Sequence, residues 1–225
     1  MKFKIASIIL LAAANIANAQ NVPAPRHLSE QLLTPVKPDE SAGKELVWKR
    51  NVLLNIDVKH KANKPFDTPG DDRSLMNTLI AGVREGKIKA YKNDKMDSEI
   101  PSTALESWIR LATHREQGES EYRLSDYQVQ EDSIHFRGED KTEVRIVGIA
   151  PVVQQTNANG GIRSLVLFWV NYPDALSYLA ASPVSTMPGF TWADILESSS
   201  FYGKVERQGK REGPTVDTRK ADDKK

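Results

Sequence analysis

The stretch Glu143 to Tyr172, EVRIVGIAPVVQQTNANGGIRSLVLFWVNY, constrains the fold more than any other part of the chain. Two apolar runs flank a connection rich in Asn and Gly, and two β-strands joined by a flexible loop satisfy that pattern. Side chains alternate across a strand. Val144 and Ile146 are therefore expected on one face of the first strand, with Arg145, Val147 and Ile149 on the other. In the second, Leu165, Leu167 and Trp169 are expected to share a face, with Val166, Phe168 and Val170 opposite. A strand apolar on both faces belongs inside a covered sheet.

The remaining segments supply partners for that pair. ELVWKRNVLLNIDV reads as a strand over Leu46 to Val58, with Val47, Lys49 and Asn51 on one side, Trp48, Arg50 and Val52 on the other, and a break near Asn51. Pro65, Pro69 and Gly70 mark a loop. Asp71 or Asp72 then caps a helix whose Leu75, Leu79 and Val83, beside Met76 and Ile80, form one stripe, and Gly86 ends it. Ile88 to Tyr91 is a short strand. Thr103 to Glu106 has capping-box spacing ahead of Leu105, Trp108, Ile109 and Ala112. Asp126 to Phe136 supplies one or two strands packed through Tyr127, Val129, Ile134 and Phe136. Pro173 and Asp174 open a helix with Leu176 and Leu179 inward, and Thr191 to Asp194 opens another carrying Trp192, Ile195 and Leu196. The fold expected is α+β: a single compact domain over 44–202, with a central β-sheet flanked by short helices.

Three segments lie outside that domain. Lys2 and Lys4, the apolar run Ile5 to Ala14 and the Ala17-Asn18-Ala19 site have the layout of a signal peptide over 1–19, so export to the periplasm is expected, with the mature chain starting at Gln20. Its loss removes two lysines and takes the formal charge from +1 to −1, a balance with no bias toward nucleic acid. Residues 20–43 carry Pro23, Pro25, Pro35 and Pro38 and form a proline-rich arm whose Leu28, Leu32 and Leu33 are its only substantial apolar side chains. Residues 203–225 are charged and poor in large apolar groups, and are expected to be a disordered tail. The chain has no cysteine, which excludes disulfides, thiolate chemistry and a lipid anchor through sulfur.

The residues that carry chemistry elsewhere do not converge here. The four histidines, His27, His60, His114 and His135, fall in separate segments without ligand spacing, so neither a metal nor a cofactor is expected. There is no GxSxG, Walker or GxGxxG motif, and the acidic pairs Asp71-Asp72 and Asp222-Asp223 are adjacent rather than opposed across a cleft. A non-enzymatic role is expected; the alternatives are an exported hydrolase using scattered carboxylates, or a peptide- or glycan-binding module. Most of the four tryptophans belong to the core. Trp48 beside Arg50 is the exception chosen as a partner contact, because Trp and Arg anchor interfaces, and Leu28, Leu32 and Leu33 are the contact residues chosen in the arm.

WKRNVLLNIDVKHKANKPF, DDRSLMNTLIAGVREGKIKAY, EVRIVGIAP, LFWVNYPDALSYLA and TWADILESSSFYGKV, in that order, resemble the gliding-motility protein family known as GldN or PorN. The resemblance runs from Trp48 to Tyr202; the region after Tyr172 is compressed, and the charged segment from Gly203 matches no block of it. The resemblance implies a periplasmic component of the type IX secretion system. Such a protein pairs with an outer-membrane lipoprotein of the K type, builds rings with copies of itself under the outer membrane, and contacts the periplasmic region of the inner-membrane motor. It implies no catalytic residues.

Overall fold

The computed structural model describes residues 43–68, 70–112, 122–156 and 160–213. Residues 1–42, with the expected leader and the Leu28, Leu32 and Leu33 of the expected arm, the histidines His27 and His114, and residues 214–225 lie outside the described residues. The chain runs β1 (Leu46–Asp57), α1 (Leu75–Arg84), β2 (Ala90–Tyr91), β3 (Glu99–Ile100), α2 (Leu105–Ala112), β4 (Arg123–Phe136), β5 (Glu143–Thr156), β6 (Ile162–Val166), β7 (Trp169–Asn171), α3 (Tyr172–Ala180), α4 (Trp192–Glu197) and β8 (Lys204–Gln208). These strands form an antiparallel sheet in the order β3-β2-β7-β5-β4-β1-β8, with β6 added to β5. A helical layer covers one face, as the sequence pattern requires of an α+β domain.

Asp126 to Phe136 belongs to one 14-residue strand, β4, which pairs with β1 on one side and β5 on the other. On the helix-covered side Leu54, Ile56, Tyr127, Val129, Ile149, Val153 and Val170 meet Leu75, Leu79, Leu105, Leu179 and Trp192. At its centre the Phe66 ring lies 5.6 Å from those of Tyr127 and Trp192 and 5.9 Å from that of Phe201. The Tyr127 hydroxyl accepts the Met76 N–H at 2.9 Å, and its burial pushes its pKa up.

The alternation expected for β5 is broken by a bulge. Gln130 faces Gly148 whereas Glu131 faces Ile146, so Val147 is an extra residue and both Ile146 and Ile149 turn toward the main core. The second apolar run is likewise not one strand. β6 pairs with the outer part of β5 and β7 with Gly148 and Ile149, and the offset falls at Leu167–Phe168. Leu165, Leu167, Phe168 and Val170 therefore all pack on the main core, while Trp169 turns to the reverse face with Leu53 and Ala150. In β1 the irregularities fall at Leu46/Trp48 and Leu53/Leu54 rather than at Asn51.

Local capping logic holds at two helices and fails at two. Asn171 caps α3 with Pro173 in the first turn, and Thr191 and Asp194 form a full capping box on α4. α1 is capped by Ser74, which accepts the Asn77 N–H at 3.2 Å. Asp71 instead accepts from the Ser185 hydroxyl and the Arg73 N–H, which hold its carboxyl below the usual range. Gly86 closes α1 with a left-handed φ of 67°. The Thr103 to Glu106 box does not form, because Ser102–Ala104 is a 3-10 turn running into α2. In α2 Leu105 and Ile109 are buried, and the Trp108 indole donates to the Leu167 carbonyl at 2.7 Å; the Ala112 side chain lies outside the described part.

The charged segment after Gly203 is not all tail. Lys204–Gln208 forms β8 against β1, and the backbone of Glu212 exchanges bonds of 2.6 and 2.7 Å with Lys49. Backbone ladder bonds at a sheet edge let a segment order without a large apolar face, which is why composition did not reveal it.

Candidate partner interface

Burial declines along β1 toward its start. Ile56, Leu54 and Val52 are buried, but Arg50 and Trp48, on the same face, are only half-buried. The structure brings these two candidates together: the Arg50 guanidinium carbon lies 5.7 Å from the Trp48 ring. Two further groups complete the site. His135, opposite Trp48 in the β1/β4 ladder, stacks on the indole at 5.8 Å and 22°, and Arg211 places its guanidinium carbon 4.5 Å from the indole. Oriented by hydrogen bonding, the Gln208 side-chain oxygen accepts two Arg50 N–H groups, each at 3.0 Å. The result is an aromatic platform flanked by cations, where each cation–π contact contributes about 0.5–1 kcal/mol at such exposure.

Arg211 is delivered by the C-terminal segment as it runs along β1. Gly209 N–H donates to the Asn51 carbonyl at 2.8 Å, and a Cβ at Gly213 would stand 2.5 Å from the Val47 carbonyl oxygen, so only glycine allows this approach. Neither Arg211 nor Gln208 had a signal in the sequence, because both lie in what composition marks as tail. His135 falls within the Asp126 to Phe136 stretch read as strand, but its pairing with Trp48 depends on long-range register.

The reverse face of the same strands is polar near this end. Lys49 bridges Asp132 at 2.7 Å, Asn51 donates to Asp132 at 3.2 Å, and Gln130 donates to Asn51 at 3.2 Å. Glu131 sits on the core side between Val52 and Ile146, and burial pushes its carboxyl up to about 8. Among the described residues no group of three or more His, Asp or Glu is placed to hold a metal ion, and no helix is long and apolar enough to cross a membrane.

No curated protein matches the chain. The family model for the gliding motility associated protein GldN matches residues 42–225, and so extends through β8 and the charged C-terminal segment that the block-by-block resemblance left unmatched. With all the described strands and helices inside that match, the chain belongs to the GldN family, components of the gliding motility and type IX secretion machinery.

Proposed function

We propose that the chain is a non-enzymatic periplasmic component of that machinery. It builds rings with an outer-membrane lipoprotein of the K type and with copies of itself, and contacts the periplasmic region of the inner-membrane motor. The family match over residues 42–225 carries this reading. In it the half-buried Trp48, between the cationic Arg50 and Arg211, is a contact for the lipoprotein, since aromatic and guanidinium groups anchor interfaces. The arm, with Leu28, Leu32 and Leu33, reaches a neighbouring subunit, because a segment that orders on binding can span large surfaces.

The test is capture of the lipoprotein by the full chain and by Trp48→Ala and Arg50→Ala. Both side chains are partly exposed, so the variants keep the fold. At least a tenfold loss of lipoprotein retention with unchanged thermal unfolding is expected. Full retention by both variants would remove this face from the contact, and no retention by the unaltered chain would reject the lipoprotein as partner.

A further inference from the structure

We infer that the outer edge of β6 receives the Arg26–Thr34 segment of a second copy as an added strand. This rests on the reading that the arm joins neighbouring subunits, and names the surface that takes it.

β6 is the least protected edge of the sheet. It pairs with β5 from Val152↔Val166 to Thr156↔Ile162, and among the described residues no strand lies on its other side. The other ends are blunted in the usual ways: β3 has only two residues, and β8 carries Lys204, Glu206 and Arg207. β6 has one charged side chain, Arg163, which is turned to Gln155 at 2.7 Å. Ile162 and Val166, four residues apart on the same face, are 65% and 37% exposed. An open, nearly uncharged edge with two exposed apolar groups is a template for strand addition.

The arm contains one segment suited to it. Proline lacks an N–H, and between Pro25 and Pro35 the nine residues Arg26–Thr34 are free of proline. In an extended segment Leu28 and Leu32 share a face with the same spacing of four as Ile162 and Val166. Both apolar pairs therefore align at once, with Glu30 beside Ser164.

Reach assigns the segment to another copy. The arm leaves the body at Gly43, beside Arg137, whose N–H donates to the Glu45 carbonyl at 2.8 Å. Ser164 is level with Gln154 and Arg123, fourteen residues back along β4 from Arg137. At about 3.3 Å per residue that is about 45 Å along the sheet. The thirteen residues from Glu30 to Gly43 pass through Pro35 and Pro38 and cover about 40 Å at roughly 3.1 Å per residue. At that extension the chain's own arm falls short along the sheet, before the two strand spacings of about 4.8 Å from β4 to β6 are crossed.

Because the chain lacks cysteine, single introduced thiols report the contact without interference. Full chains carrying Leu28→Cys or Leu32→Cys are co-expressed, one at a time, with chains carrying Val166→Cys or Ile162→Cys and with the lipoprotein, and oxidised. Lys204→Cys on β8 is the control. The expected result is disulfide-linked pairs of copies in one matched set, either 28 with 166 and 32 with 162 or 28 with 162 and 32 with 166, at least tenfold above the control. Linkage of Leu28 and Leu32 to the same one of Ile162 and Val166 would mean a helical turn docks there instead, because a helix sets residues four apart on one face about one turn from each other. That would overturn the strand, as would linkage of only one of the two. So would linkage equal to the control, or none. Light scattering on the unaltered complex separates the two levels: an assembly without the linkage rejects this surface and leaves the assembly reading standing, and no assembly rejects both.

Discussion

Glu131→Gln should stabilise the protein at neutral pH. Glu131 is 2% exposed, on the core side of β4 between Val52 and Ile146, and burial raises its carboxyl pKa from the ordinary 4.5 to about 8. Between those values the folded chain keeps a proton that the unfolded chain has released. Stability therefore falls as pH rises through that window, by about 1.4 kcal/mol per pH unit. The loss begins above pH 4.5, reaches roughly 3 kcal/mol by pH 7 and levels off near 5 kcal/mol above pH 8, as orders of magnitude. Glutamine has the same shape and no proton to lose. Urea unfolding of both proteins at pH 4.5, 6, 7 and 8 isolates this group, because all others titrate alike in the two chains. The difference should be near zero at pH 4.5 and grow steadily in favour of the variant. A difference that does not change with pH, or a variant less stable than the parent at pH 8, would show that Glu131 is ionised and held by its neighbours, and the reasoning would be wrong.

Trp192→Ala removes a fully buried ring packed on Phe66 and an indole bond of 3.0 Å to the Arg73 carbonyl, and should cost about 3–5 kcal/mol in denaturant unfolding. Trp169→Ala empties only the smaller reverse-face cluster with Leu53 and Ala150, so by the same assay it should cost less than Trp192→Ala. Asn63 is buried and ties Asp57 and Tyr202 through bonds of 2.7, 2.9 and 2.7 Å; Asn63→Ala leaves three backbone groups without that partner and should cost about 3 kcal/mol or more, read as a lowered Tm. Thr191→Ala breaks the capping box of α4 and should cost about 1 kcal/mol by urea titration.

What was legible in the sequence was what local chemistry decides. The start of α3 at Pro173 and Asp174, the capping box of α4, the left-handed Gly86 and the apolar stripes of α1 and α4 each depend on residues within a few positions, and the structure has them where the spacing put them. The departures sit where distant strands decide. The bulge at Val147 exists because β4 and β5 must stay paired on both sides of it, and the break at Leu167–Phe168 because β6 and β7 share the same side of β5 at different heights. β8 was hidden for the same reason: its order comes from backbone bonds to β1 and from contacts to residues distant in sequence, such as Val205 on the main core and Gln208 on Arg50. The candidate interface was half legible. Trp48 and Arg50 stand two apart on one strand and are visible as a pair, but His135, Gln208 and Arg211 reach them only through the sheet.

As proposed, this chain is a building block of a larger secretion assembly. The most direct test is the mass and symmetry, by light scattering and electron microscopy, of the full chain co-expressed with the outer-membrane lipoprotein. A large, regular ring containing both proteins is the expected result. A stable monomer that leaves the lipoprotein behind would rule out that assembly role.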